Sequence, residues 1–552
     1  MSTPLSFNPA TNGVFAPPPP LNEPVFEYLP GSDAKVNLKL ALAQMSEQET
    51  EVTLKIGGES IKTGDTGEIR APHNHQKVLG HFHKADDASV DKAIASALEA
   101  SHDWARTPWQ DRIAIFLRAA ELLRERARFA INAATMLGQS KTVQQAEIDS
   151  ACELIDFLRY NAYFAHRLYS EQPSSGPAEW NRTDYRPLEG FVYAVTPFNF
   201  TAIAGNLPSC PAMLGNTVVW KPASTSMLSA HFVMKLFQDA GLPPGVINMV
   251  PGSGELISNK VLNHRDLAGI HFTGSTEVFQ GIWKTVGENI ANYRTYPRMV
   301  GETGGKDFVV AHSSAERGEL ITALIRGAFE YQGQKCSAAS RAYIAESVWE
   351  AIKDELAAET ESITMGDVSD FRYFMGAVID KNAFDRITGY IDRAKASDKV
   401  EIFAGGNYDD SEGYFIRPTI LVTTDPNYET MEQELFGPVL TVYVYPDKEY
   451  EQVLDLCDKT SPYALTGAIF ARERSAILEA SDRLMHAAGN FYINDKPTGA
   501  VVGRQPFGGG RASGTNDKAG SLLNLLRWIS PRTIKENLRP PLEHVYLHQL
   551  EA

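Results

Sequence analysis

Phe191-Val192-Tyr193-Ala194-Val195 is a short apolar run, and comparable runs recur at residues 217–220, 246–250 and 269–272 with helix-length segments between them. Such alternation predicts a parallel sheet with helices on its faces, because parallel neighbours need crossovers and the crossovers cover the sheet. A second alternation extends from Phe308 to about Ile493, with residues 342–344, 415–422, 440–445 and 465–470 as candidate strands. Two α/β domains are therefore expected, with Glu302 near the crossing between them. Upstream, residues 88–168 read as successive helices: Ile113, Phe116, Leu117, Ala120 and Leu123 recur at helical spacing among Arg and Glu. Pro17-Pro18-Pro19-Pro20 ahead of this block implies an extended arm.

Composition narrows the class. A chain of 552 residues with 43% apolar content can bury more than one core. Lys plus Arg number 52 against 68 Asp plus Glu, a formal charge of −16, and no basic block is present to follow nucleic acid or an anionic membrane. The four cysteines, Cys152, Cys210, Cys336 and Cys457, lie far apart without a CxxC pair, as expected for reduced thiols. No apolar run approaches the roughly twenty residues of a membrane span, and the N-terminus lacks a secretory or mitochondrial leader pattern. These features read as a bacterial cytoplasmic protein, or as the processed form of a mitochondrial matrix protein.

Two segments carry the chemistry. Val300-Gly301-Glu302-Thr303-Gly304-Gly305-Lys306 and Tyr331-Gln332-Gly333-Gln334-Lys335-Cys336-Ser337-Ala338 place an acid and a thiol in glycine-rich settings. A thiolate can attack an aldehyde carbon, and a nearby carboxylate can activate the water that cleaves the resulting thioester. Taken singly, Cys336 could be a small buried hydrophobe and Glu302 a solvated acid in a turn. Cys336 follows an amphipathic stretch (Leu320, Leu324, Ile325, Ala328, Phe329), which places it on a loop after a helix, where a thiol is reachable. His73 with His75 and His81 with His83 form two His-x-His patterns, but no third ligand at suitable spacing accompanies them, so no metal is expected. No full GxGxxG occurs. Gly252-Ser253-Gly254 lacks the third glycine, whereas Phe272-Thr273-Gly274-Ser275 ends an apolar run in a small-residue turn before a helix at Thr276, a setting for a pyrophosphate or simply a capped turn.

Together the acid and thiol segments resemble the glutamate and cysteine signatures of the aldehyde dehydrogenase superfamily. Five further blocks follow in the family's order: Val195-Thr196-Pro197-Phe198-Asn199-Phe200, Trp220-Lys221-Pro222-Ala223-Ser224, Phe272-Thr273-Gly274-Ser275, Glu434-Leu435-Phe436-Gly437-Pro438 and Pro506-Phe507-Gly508-Gly509. The resemblance implies an α/β fold of two Rossmann-related domains plus a small β oligomerisation flap. It suggests an arm at 1–39, an NAD-binding domain at 40–172 and 189–303, a catalytic domain at 304–510, and a flap at 173–188 and 530–552. Without it, 173–188 would read equally as a surface loop. The tail Val545-Tyr546-Leu547-His548-Gln549-Leu550 is expected to pair there as an edge strand, giving a homo-oligomer built on a dimer.

The same resemblance implies roles. Cys336 is the nucleophile, Asn199 stabilises the oxyanion and Glu302 activates water. Thr196, Pro197, Phe198, Lys221, Ser224, Gly274, Ser275, Glu434 and Phe436 meet NAD, and serine at 224, where NAD-restricted relatives often carry glutamate, leaves room for NADP. Residues 329–338, 491–496 and 508–517 resemble the branch that oxidises L-glutamate gamma-semialdehyde to L-glutamate in proline catabolism. There Ser337, Gly499 and Ala500 would hold the substrate carboxylate, and Phe200 and Phe507 would flank its aliphatic part. Oxidation of another carboxylate-bearing semialdehyde, such as succinic semialdehyde, is the alternative. An inactive crystallin-like protein on the same fold would be expected to lose the thiol or the acid.

Overall fold

The computed structural model describes Gly13 and residues 15–550; the first twelve residues of the expected arm lie outside them. Two seven-stranded sheets organise the chain. The first runs Arg298–Glu302, Leu267–Thr273, Phe191–Val195, Thr217–Lys221, Ile247–Met249, Leu54–Ile56, Glu59–Ile61. Its strands are parallel as far as Ile247–Met249, and the last two join antiparallel. The apolar runs are continuous because both faces are covered. Val192, Ala194, Val218 and Trp220 face one core, with the helices Trp109–Leu122, Arg128–Gln139 and Glu153–Ser170. Phe191, Tyr193 and Val219 face the other, with the helices Asp87–Trp104, Gly254–Leu262 and Thr276–Glu288.

The second sheet runs Val400–Ala404, Thr419–Thr423, Val439–Tyr445, Ala339–Ala345, Asp307–Ala311, Thr466–Phe470, Asn490–Ile493, parallel except for its antiparallel edge strand Val400–Ala404. Glu302 closes the edge strand of the first sheet and Asp307 opens a central strand of the second, so the acid does lie where the chain crosses.

Some expectations change. The single strand expected over 415–422 is two: Phe415–Ile416 pairs with Tyr408–Asp409, and only Thr419–Thr423 enters the main sheet. Pro418 between them has no N–H to give a ladder. The helix Asp33–Glu47 runs across position 39, where the arm was expected to end, and residues 50–83 form strands that the apolar pattern did not reveal. The segment Glu179–Pro187 pairs antiparallel with Ile529–Asn537 over its whole length. The tail does not extend this ribbon: Leu547–Leu550 is an exposed 3-10 turn, and the pairing strand lies earlier in the chain. Among the described residues no helix is long and apolar enough to cross a membrane.

Candidate active site

The thiol sits on a constrained turn. After the helix Arg317–Phe329 the chain turns through Tyr331, Gln332 and Gly333 at φ of 51°, 56° and 66°, in the left-handed region. Only glycine fits at 333, because a Cβ there would lie 2.2 Å from the Gly437 carbonyl oxygen. Such backbone persists only where its surroundings over-determine it. Here Tyr331 Oη donates to Gln139 O at 3.0 Å, Gln332 Nε2 donates to Ser140 O at 3.0 Å and Ala377 O at 2.7 Å, and Asn199 Nδ2 donates to Gln334 O at 3.1 Å. Both domains therefore hold the loop. Cys336 is buried rather than reachable on the surface; it lines the walls of two cavities that meet there.

Glu302 faces one of them. Its strand passes Phe279 so closely that a Cβ at Gly301 would meet the ring at 2.0 Å. On the other side Thr303 N donates to Ser513 O at 3.0 Å, fixing the acid between two neighbours. Among the described residues Glu302 Oε1 has no hydrogen-bond partner, so the acid is not the solvated turn residue its glycines allow. Burial pushes this carboxyl up to about 8, opposed by the Lys518 ammonium. Burial also raises the Cys336 thiol well above its ordinary value, helped by the carboxylates of Glu302, Asp307 and Glu434.

The larger cavity, of about 1070 Å³, is lined by Thr196, Pro197, Phe198, Asn199, Lys221, Gly274, Ser275, Glu434 and Phe436. Glu434 is fixed by Gly305 N, which donates to its Oε1 at 2.9 Å, and Gly304 leaves space that a Cβ would take at 2.4 Å from Oε2. Phe198 and Phe436 meet edge to face at 5.8 Å. Ser224 is the exception among the expected contacts: it is exposed and off the wall, whereas Ala223 and Thr225 line it. Two helix N-termini open here. Ser275 caps Thr276–Glu288, as the sequence suggested, and Ser253 caps Gly254–Leu262, whose Gly254, Glu255 and Ser258 also line the cavity. The second lacks the third glycine of a full GxGxxG, although Ser253-Gly254 after the apolar run carries the signal in sequence. Free N–H groups at two helix starts beside Lys221 suit a dinucleotide pyrophosphate and ribose. The residues fit NAD.

The smaller cavity, of about 310 Å³, lies on the other side of Cys336 and brings together Glu302, Phe200, Ser337, Gly499, Ala500 and Phe507. Ser337 Oγ donates to Thr498 Oγ1 at 2.8 Å, and Gly499 has φ of 94°. Asn22, Asp149, Glu153, Asp156, Lys335 and Lys518 also reach this wall. Lys335 lies inside the cysteine motif, but sequence reading gave it no role; it missed the others because they are scattered over the arm, the helical block and the C-terminal loops without a motif. Glu153 is raised well above the carboxylate range by burial, with Asp149 beside it. The histidine pairs go elsewhere: His73 faces Asp367 at 3.5 Å, His75 Nε2 meets Asp410 O at 2.8 Å, and His81 and His83 face Glu49 and Glu51 at 3.3 and 3.1 Å.

Known proteins are similar to this chain over nearly its whole length. The profile of the aldehyde dehydrogenase family matches residues 61–534. The mitochondrial delta-1-pyrroline-5-carboxylate dehydrogenase of Dictyostelium discoideum is 52% identical over 537 residues, 97% of this chain and 96% of that protein. The human protein of the same name is 47% identical over 520 residues, 94% of this chain and 92% of its own. The crystal structure of the delta-pyrroline-5-carboxylate dehydrogenase of Mycobacterium tuberculosis bound with NAD superposes with a TM-score of 0.95 at 54% identity, covering 98% of this chain and 100% of that one. With a profile spanning most of its length, relatives matched almost end to end and a thiol set between two cavities, the chain belongs to the aldehyde dehydrogenase family.

Proposed function

We propose that the protein oxidises L-glutamate gamma-semialdehyde, the open-chain form of delta-1-pyrroline-5-carboxylate, to L-glutamate with NAD, in proline catabolism. The observation that carries this reading is the position of Cys336 on the wall shared by the two cavities, with Glu302 on the substrate side. Bound in the larger cavity, NAD supplies the hydride acceptor.

Cys336 Sγ releases its proton to solvent and, as thiolate, bonds to the aldehyde carbon, and the carbonyl oxygen becomes an oxyanion. The Asn199 amide has a second N–H beside the one it gives Gln334, and with the Cys336 backbone N–H it meets that oxygen. Hydride loss leaves a thioester on Cys336. Glu302 then takes a proton from water, the hydroxide oxygen bonds to the acyl carbon, the C–S bond breaks, and the thiolate returns with release of the acid. Ser337, Gly499 and Ala500 hold the substrate's carboxylate at the far end, and Phe200 and Phe507 flank its aliphatic part. A succinic semialdehyde enzyme would need the same carboxylate anchor, so only direct comparison of substrates separates the two. A crystallin-like protein is disfavoured by the presence of both thiol and acid.

The protein acts as a homo-oligomer built on a dimer, in a reducing compartment such as the bacterial cytoplasm or the mitochondrial matrix. The ribbon of Glu179–Pro187 and Ile529–Asn537 supports dimerisation, since a two-stranded ribbon with open edges is marginal alone. In the deciding experiment, Cys336→Ser is assayed with several semialdehydes and NAD. It is expected to lose oxidation while NAD still binds, and substantial turnover by the folded variant would refute the assignment.

A further inference from the structure

The turn that carries Gly499 and Ala500 is tied down on both sides. On its N-terminal side Ser337 Oγ donates to Thr498 Oγ1 at 2.8 Å. On its C-terminal side the tether comes from the opposite end of the chain. Asn22 Nδ2 donates to Val502 O at 2.9 Å, and Arg504 Nε donates to Asn22 Oδ1 at 2.9 Å. The same amide reaches the helix Glu153–Ser170: Nδ2 donates to Asp156 Oδ2 at 2.8 Å, and Tyr160 Oη donates to Oδ1 at 3.3 Å. One side chain thus uses both its donors and its acceptor oxygen to join the loop to that helix.

The strap that presents Asn22 is itself fixed. Glu23 N donates to Asp156 Oδ1 at 2.7 Å, and the buried Glu23 carboxylate pairs with Arg128 at 2.7 Å and Arg159 at 2.8 Å. Gly503 lies so close to Tyr160 that a Cβ would come within 2.1 Å of its ring, so the loop is seated on the helix that Asn22 binds. Gly499, at φ of 94°, has little intrinsic stiffness, and its N–H is aimed only as well as its two tethers hold it.

We propose that Asn22 is a positioning residue for substrate binding, holding the Gly499–Ala500 turn in the geometry that receives the substrate carboxylate. The proposal rests on the reading that this turn is the carboxylate anchor. Asn22 touches neither the thiol nor the acid, so its loss acts on capture of the anionic end and leaves the chemical step alone. An aldehyde without a carboxylate does not sense it.

Steady-state kinetics of the full chain with NAD test this, using L-glutamate gamma-semialdehyde and propanal. Asn22→Ala is expected to raise KM for the semialdehyde about three- to tenfold, the equivalent of one lost hydrogen bond. Its kcat for the semialdehyde and its efficiency with propanal should stay as in the unmodified enzyme. Asn22→Asp, which loses both donors and sets a carboxylate against Asp156, should raise KM further. Arg504→Ala tests the same link from the loop side, and the double variant should be no worse than the poorer single, because both cut one connection. An unchanged semialdehyde KM in Asn22→Ala, or equal losses for both aldehydes, overturns the proposal. If the unmodified enzyme itself handles both aldehydes equally, the anchor reading fails first; if it prefers the semialdehyde and Asn22→Ala keeps that preference, only the role of Asn22 falls.

Discussion

Glu302 provides the sharpest test, because its burial sets a pH at which the enzyme should change speed. The carboxyl stands at about 8, raised by burial and lowered somewhat by Lys518. A base must be ionised to accept a proton, so activity is lost as pH falls through this value and saturates above it. With the value at about 8, roughly one-tenth of the acid is ionised at pH 7 and roughly nine-tenths at pH 9, so deacylation should rise roughly tenfold between them. Glu302→Gln should remove this inflection and leave a rapid burst of NADH followed by a slow steady state, since acylation needs no such base. The same change removes one of the charges that raise the Cys336 thiol. Alkylation of Cys336 should therefore titrate at lower pH in Glu302→Gln than in the unmodified enzyme. Lys518→Met should move the inflection upward, because the opposing charge is gone. Rapid-mixing and pH–rate profiles decide the matter. An unchanged inflection in Glu302→Gln, or equal loss of burst and steady state, would refute the role of Glu302 in hydrolysis.

Ser337→Ala should lower the efficiency for glutamate semialdehyde and spare propanal, but modestly: the hydroxyl already bonds Thr498, so binding the carboxylate exchanges a neutral hydrogen bond for a charged one, a net of about 0.5–2 kcal/mol, readable as relative kcat/KM. Arg128→Met should cost about 3–5 kcal/mol in denaturant unfolding, because it strands the buried carboxylate of Glu147, while Glu23 keeps Arg159; loss below 1 kcal/mol would mean that Glu147 finds another partner. Deleting residues 529–552 should leave a monomer by sedimentation, whereas deleting 541–552 should leave association intact, since the paired strand ends at Asn537.

How far sequence reading reached depended on whether the signal was local. Phe191–Val195 and Leu267–Thr273 were legible because strands buried on both faces read as unbroken apolar runs. Thr50–Val52, Leu54–Ile56 and Glu59–Ile61 were not, because each has three residues and no period can be read from so few. The tail misled for a related reason: Val545 to Leu550 has strand-like composition but lies exposed, whereas the strand Ile529–Asn537 contains Pro531, Arg532, Lys535 and Glu536, tolerated on a two-stranded ribbon that is all edge.

The same distinction divides the site. Cys336 and Glu302 sit in motifs because each is tied to special backbone around it, the left-handed turn at 331–333 and the close approaches at Gly301 and Gly304, and Asn199 donates to Gln334 O just after that turn. Sequence shows such constraints as glycine spacing. Asn22, Asp156 and Glu153 need no unusual backbone; they reach the cavity from an extended segment and from an ordinary helix, so nothing beside them in sequence marks them. Their pairing spans more than a hundred residues, as between Asn22 and Asp156 or Asn22 and Val502. Chemistry that bends the chain is visible in one sequence, and chemistry supplied by distant side chains becomes visible only once the fold has brought them together. By this logic substitutions at Gly301 or Gly333 should disturb the backbone under every substrate alike, while those at Asn22 should be felt through the carboxylate alone.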